Sequence, residues 1–468
     1  MNWFGSGDYW LSRLVFQRGL AAVYLAAFVG AALQFRALIG ERGMLPVPRF
    51  LARVPWRRAP TLFRLRYSDR FFAVCAWAGA VLAVALLAGA DGLLPLWGAM
   101  LLWLAPWVLY LSIVNVGQTW YGFGWESLLL EVGFLAVFLG NDEVAPPVLV
   151  LFLLRWVLFR LEFGAGLIKL RGDACWRNLT CLYFHHETQP MPGPLSWFFH
   201  HLPRPLHRME AAANHVTQLM LPFLLFTPQP VTTAAAALMI VTQLWLILSG
   251  NFAWLNWLAV VVAVAALDLR PLHAHRDLPA APLWYEIVVL ALTALVAGLS
   301  WRPTRNLLSR RQSMNRSYDS LHLVNTYGAF GTVGRIRQEI VIEGTTDTAP
   351  GPESDWQAYE FKGKPGDPRR LPRQFAPYHL RLDWMMWFAA LSPAYARPWF
   401  DGLVERLLEG DRDTLRLLRH CPFPDAPPAH IRARVYRYRY TTWRELRATG
   451  AWWERTYVRE FLAPTRLR

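Results

Sequence analysis

The chain predicts a mainly α, polytopic membrane bundle followed by a small extramembrane α+β domain that is mostly β. Three observations carry this. Hydrophobic residues make up 54% of the 468, and tryptophan alone contributes 24. Stretches of ~20 mostly apolar residues, the length that crosses ~30 Å of hydrocarbon, recur through residues 1–300. After Ser300 they stop, and short alternating runs punctuated by glycine replace them.

In chain order the expected spans are Leu14–Phe35, Phe71–Ala90, Leu93–Val114, Phe123–Gly140, Pro146–Leu170, Met209–Phe226, Val231–Leu248, Phe252–Leu267 and Pro282–Ser300, about nine in all. The first run is too long for a signal peptide, carries Arg18 and lacks a small-residue cleavage site. The expected division is 1–300, a helical transmembrane domain with a structured 171–208 loop, and 301–468, a C-terminal extramembrane domain. In the tail, Leu321–Tyr327, Gln338–Glu343, Trp356–Lys362 and Ile431–Thr442 read as strands, and Arg381–Leu391 and Trp399–Glu409 as helices.

A net charge of +15 invites a nucleic-acid reading, but its distribution opposes one. The loop Arg36–Arg70 holds nine Arg and two acidic residues, and the tail is Arg-rich. Alternate connections carry Asp91, then Asp142 and Glu143, then Asp268–Pro282. This is a positive-inside pattern facing anionic headgroups. It makes membrane lipids the expected partner and excludes nucleic acid. It also places the tail and the 171–208 loop on the cytoplasmic side. Cys175 and Cys181 match neither a redox nor a zinc spacing. They read as unpaired thiols, although they are close enough in sequence to bridge in an oxidising compartment.

The segment Arg160–Gln218 holds most of the chemistry. Glu162, Gly166 and Lys169 share a helix face, with Arg155 close to it. Ionisable groups at membrane depth mark functional sites. Lys169 is thus a candidate base or buried cation, and Glu162 and His215 are its candidate catalytic neighbours; Glu162 with Arg155, as a structural pair, is the plainer reading. Glu210, Asn214 and Gln218 recur every four residues, with His207 just before, and form a polar stripe. The stripe is expected to face Glu162 and Lys169 across a shared cavity. Between the two helices lies a connector rich in Trp, His and Pro, too long for a turn. His185-His186-Glu187 and His200-His201 match no zinc spacing, so no metal is assigned. Gly328, Gly331 and Gly334 are turn glycines, no nucleophile elbow occurs, and no cofactor is evident.

The run Lys169-Leu170-Arg171-Gly172-Asp173, Cys175-Trp176, Leu179, Tyr183–Pro190 (YFHHETQP), Pro192, Pro194, Trp197, His201-Leu202-Pro203, Glu210 and Asn214-His215 resembles the lipase maturation factor family. The tail adds Asn325-Thr326-Tyr327-Gly328, Phe330, Gln338–Gly344, Trp356, Tyr359-Glu360-Phe361-Lys362 and Pro377–Trp387; the N-terminal part adds Tyr9-Trp10 through Phe16 and Gly43–Pro46. The resemblance covers most of the chain. It implies a polytopic membrane factor whose animal members reside in the endoplasmic reticulum and help dimeric secreted lipases reach an active fold. It also implies a luminal loop and tail, against the charge count. Arg/Ala richness points to a bacterial inner membrane, with the endoplasmic reticulum as the eukaryotic counterpart.

On this reading the protein is not an enzyme, and its client is a lipase or another exported protein. Trp197, Phe198 and Phe199 would be exposed to hold client apolar patches. Arg171, Asp173, Trp176, His185, His186, Glu187, Gln189, His201, Glu210 and Asn214 would complete or shape that surface. A shorter likeness, through Ala165-Gly166, Lys169-Leu170, Asp173 and Trp176, is to the membrane domain of vitamin K-dependent γ-carboxylases. It implies the alternative, a membrane enzyme using Lys169 as base on a quinone or lipid substrate.

Overall fold

Helix α1 (Trp10–Ile39) runs 30 residues, about 45 Å at 1.5 Å per residue, and forms the spine of the bundle. The computed structural model describes residues 4–270 and 276–467. Around α1 stand α2 (Asp69–Leu87), α3 (Leu96–Val116), α4 (Gly124–Ala136) and α5 (Val148–Arg171). The connector folds into two short helices, α6 (Leu182–Thr188) and α7 (Ser196–His200). Then follow α8 (Arg204–Leu219), α9 (Val231–Ser249), α10 (Leu255–Val264) and α11 (Leu283–Leu299). Part of the Asp268–Pro282 connection, residues 271–275, lies outside the described residues.

Nine spans were expected, and among the described residues five helices are long and apolar enough to cross a membrane: Gly7–Ile39, Asp69–Leu87, Leu96–Val116, Val231–Ser249 and Leu283–Leu308. The physical reason for the difference is local. Helix α4 has 13 residues and is almost wholly enclosed by protein, so it needs no lipid-facing length. Helix α10 has 10 residues. Helix α5 is long, with 24 residues, but carries Arg155, Arg160, Glu162 and Lys169, and α8 is amphipathic with a polar face turned inward.

One end gathers the acidic connections: Arg18 pairs with Asp91 at 2.8 Å, Arg13 and Arg276 reach Asp142, and the Glu143 carboxylate caps α3 at Leu96 N, 2.8 Å. The opposite end holds the Arg-rich 40–68 loop, the connector and the C-terminal domain. There Gln118 donates to Leu45 O and Asp173 N to Gly331 O.

The C-terminal domain is a four-stranded antiparallel sheet in the order β2-β1-β5-β6 beside a two-stranded β3-β4 ladder. Its strands are β1 (Arg337–Thr345), β2 (Gln357–Ala358), β3 (Glu360–Phe361), β4 (Leu418–His420), β5 (His430–Tyr440) and β6 (Trp453–Thr465). Helices α12 (Arg381–Leu391) and α13 (Phe400–Leu408) stand where the sequence places them. Helix α14 (Trp443–Thr449), closed by a capping box between Thr442 and Glu445, joins β5 to β6.

Leu321–Tyr327 is not a strand. It inserts into the bundle, where Asn325 N and Nδ2 and the Tyr327 hydroxyl all donate to Glu131, itself paired with Arg160. Buried carboxylates need such partners, since an unpaired buried charge is expensive. A second tie has the same form. Glu126 of α4 accepts from Arg381 of α12 at 2.6 Å, with Tyr110 and His379 beside it. The C-terminal part is thereby keyed into the membrane domain.

The two cysteines expected as thiols form a disulfide, Cys175–Cys181, with Cα atoms 4.8 Å apart. The intervening turn Ala174–Arg177 doubles the chain back, which spacing alone does not reveal.

Candidate functional site

Helices α5 and α8 meet closely because Gly166 faces α8: a Cβ there would sit 3.0 Å from Gln218 Cβ and 2.8 Å from Leu219. That approach brings two polar faces together. Lys169 Nζ donates to Asn214 Oδ1 at 2.8 Å and to Gln218 Oε1 at 2.9 Å. Gln218 Nε2 donates onward to Glu162 Oε2 at 3.2 Å. Glu162 Oε1 accepts from Gln243 of α9 at 2.6 Å, and Gln243 accepts from Asn256 of α10 at 2.7 Å. A buried, continuous polar relay thus crosses four helices, with charges at Lys169 and Glu162 and amides between. Amides turn either way to donate or accept, which lets them bridge a cation to an anion with every atom satisfied.

Not all the expected neighbours join it. Arg155 does not pair with Glu162; it donates to the Tyr9 hydroxyl at 3.2 Å. Glu210 turns away from Lys169. Each four-residue step along a 3.6-residue helix rotates ~40°, so the stripe drifts by ~80° from Gln218 to Glu210. Glu210 Oε1 accepts from Trp245 Nε1 at 2.8 Å, while Oε2 faces His186 and His207. Of the expected stripe, Asn214 and Gln218 therefore meet Lys169 and Glu162 in direct hydrogen-bond contact, and Glu210 does not join them. His215 is excluded as well: its Nε2 meets the Trp176 carbonyl at 3.0 Å. Trp176 lies under Lys169, whose Nζ is 4.9 Å from the ring, and donates to Phe330 O.

The connector is built, not loose. Arg171 donates to Gln312, Asp173 caps Cys175 N and pairs with Arg335, and Gln189 Nε2 donates to Ser249 O, Ser196 Oγ and His186 O. Glu187 accepts from Tyr440 N at 2.8 Å. Arg337 donates to the carbonyls of Glu187 and Pro190. His185 packs between Phe252 and Phe330, and burial holds its imidazole down to about 3.

The expectation of an exposed Trp197-Phe198-Phe199 patch is corrected. Trp197 is fully buried and Phe199 nearly so, and only Phe198 is open, at 41%. Trp197 Nε1 donates to Thr441 O at 2.9 Å, and its ring meets His201, Trp443 and Trp452. It is a strut between the connector and the β5–β6 hairpin. Its apolar body and single donor suit that role better than contact with a client. His201 supports it through an Nδ1 contact to Trp197 O at 2.7 Å.

Sequence reasoning missed Gln243 and Asn256, and with them the ion pairs Glu131–Arg160 and Glu126–Arg381. The available signal was polar side chains inside apolar helices. It also missed that His186, His207 and Glu210 converge, since they are scattered over two helices.

The fold defines a polytopic membrane protein whose buried charges find partners inside the bundle, capped by the connector and the C-terminal sheet.

 Those partners are Lys169 and Glu162 joined through Gln218, Arg160 with Glu131, and Arg381 with Glu126. The model of the lipase maturation factor transmembrane domain matches residues 11–274, and that of the lipase maturation factor C-terminal domain matches residues 323–463. The chain belongs to the lipase maturation factor family. It is 40% identical to lipase maturation factor 1 of Mus musculus, over 99% of this chain and 88% of that protein, and 40% identical to lipase maturation factor 1 of Homo sapiens, over 99% and 89%. Lipase maturation factor 2 of Homo sapiens is 29% identical, over 96% and 82%. No solved structure matches the chain.

Proposed function

We propose that this protein is a multi-pass membrane factor that assists the maturation of secreted lipases or related exported proteins. The observation that carries the reading is the 40% identity to proteins named lipase maturation factor 1, sustained over 99% of the chain. The working surface is the cap formed by the connector and the C-terminal sheet. Its open apolar groups are Phe198 and Trp443 on one flank, and Tyr457 and Val458 on the edge strand β6. The buried relay holds the helices beneath this cap in one arrangement, so that the cap meets a client as a fixed surface.

The membrane is the bacterial inner membrane, or the endoplasmic reticulum in a eukaryote. The Cys175–Cys181 disulfide supports placing the cap on the oxidising face, because disulfides persist in periplasm or lumen and not in cytosol. That face is opposite to the one the basic loops indicate. The test is a deletion strain in which exported lipases are measured both by antigen and by activity. Lower activity per molecule is the expected result, restored by the wild-type gene. Unchanged specific activity of every exported lipase refutes the proposal.

A further inference from the structure

Three buried polar atoms converge without hydrogen-bond partners, His186 Nε2, His207 Nδ1 and Glu210 Oε2, and His186 Nδ1 has none either. His186 and His207 are almost completely enclosed, at 1% and 2% exposure. His186 Nε2 stands 3.7 Å from Glu210 Oε2, and His207 Nδ1 stands 3.8 Å from it. One ligand atom from each of the three residues lies within 4.8 Å of the others. These separations are too long for good hydrogen bonds. Leaving a buried polar atom unmet is costly, so three side chains aimed at one point call for a common partner.

The geometry points to a divalent transition-metal site built by His186, His207 and Glu210, with zinc as the ion its donors suit best. Two imidazole nitrogens and one carboxylate oxygen form a borderline donor set. Such a set takes zinc or a neighbouring first-row ion, while magnesium and calcium prefer oxygen alone. Tetrahedral bonds of about 2.0–2.1 Å place ligand atoms roughly 3.3 Å apart, a contraction that side-chain rotation supplies. Three protein ligands leave a fourth position for water.

The surrounding groups are arranged as a metal shell requires. His207 Nε2 lies 3.3 Å from the His200 carbonyl, so a proton there leaves Nδ1 as the free lone pair. Trp245 Nε1 donates to Glu210 Oε1 at 2.8 Å and leaves Oε2 directed inward. The ion would clamp α6, in the connector, to α8 at the membrane domain. Glu187 and Gln189, one and three residues after His186, would be fixed by the same clamp. The other candidate group, Asp173 with Cys175 and Cys181, offers no such site, because the disulfide occupies both sulfurs.

The experiment uses the full-length protein in detergent, stripped with chelator, reloaded with zinc sulfate and passed through gel filtration before elemental analysis. About one zinc per chain is expected for the wild type and for the surface control His420→Gln. His186→Gln, His207→Gln and Glu210→Gln should each lower retained zinc by at least about tenfold, in line with the effect of disturbing a metal shell. Retention of zinc undiminished in all three variants indicates an adventitious ion only, and overturns the assignment. If a variant elutes as aggregate, cobalt titration of the wild type decides. Visible absorption of a nitrogen- and oxygen-ligated ion that zinc displaces supports the site, and its absence refutes it.

Discussion

Replacing Trp197 by alanine separates a structural strut from a client-binding group. The side chain is fully buried, donates to Thr441 O at 2.9 Å and packs against Trp443, His201 and Trp452. Truncating a buried tryptophan removes its contacts and leaves a cavity, which costs about 3–5 kcal/mol. Trp197→Phe keeps most of the packing and loses the indole donor, leaving the enclosed Thr441 carbonyl unmet; the expected cost is about 1–3 kcal/mol. Phe198→Ala, at a half-open position, should cost about 1 kcal/mol or less. Thermal unfolding in detergent, followed beside limited proteolysis of the 430–467 hairpin, gives the order. Trp197→Ala should release the hairpin to protease, Trp197→Phe should do so partially, and Phe198→Ala should leave it protected. A Trp197→Ala protein as stable as wild type, with a hairpin equally protected, refutes the strut.

The relay yields a coupling prediction: Lys169→Met should destabilise by about 3–5 kcal/mol by stranding Glu162, and Lys169→Met with Glu162→Gln should recover part of that loss, read as non-additivity in a double-mutant cycle. Lys169→Arg tests the base reading separately, because arginine stays protonated; retained lipase maturation in that variant, measured as client activity per molecule, excludes a proton-abstracting role. Cysteine counting after denaturation without reductant should label two of the four cysteines, Cys75 and Cys421, and Cys175→Ser with Cys181→Ser should cost about 2 kcal/mol for so short a loop. Burial raises the Asp383 carboxyl to about 6 from its ordinary 3.8. The fold therefore holds the proton more tightly than the unfolded chain, and stability falls as pH rises from about 4 through 6, by up to about 3 kcal/mol; Asp383→Asn should flatten that part of the melting-temperature profile.

Much of the architecture is legible in the residues because it follows from local chemistry. Apolar runs of membrane length mark α1, α2, α3, α9 and α11, and the stretches 381–391 and 399–409, read as helices, emerge as α12 and α13. Strand β5 shows where local reading stops. Its tyrosine face is real, and β5 keeps an unbroken register with β1, yet the buried side passes from Ile431, Ala433 and Val435 to Tyr438 and Tyr440 on the opposite face; the first three pack into the main core and the two tyrosines against Trp197 and Trp453, so what covers each face decides, not the alternation. Leu321–Tyr327 failed as a strand because Glu131, nearly two hundred residues earlier, claims its donors.

Sequence by itself determined the class of protein, the kinship carried by YFHHETQP and its flanks, and the pairing of Lys169 and Glu162 on one helix face. Tertiary structure alone decided the partners of those charges, the burial of Trp197, the disulfide, and the meeting of His186 with His207 and Glu210. The physical reason is range. Hydropathy and helical spacing act within a few turns, whereas the partner of a buried polar atom is whatever side chain the packing of distant helices brings within 3 Å of it.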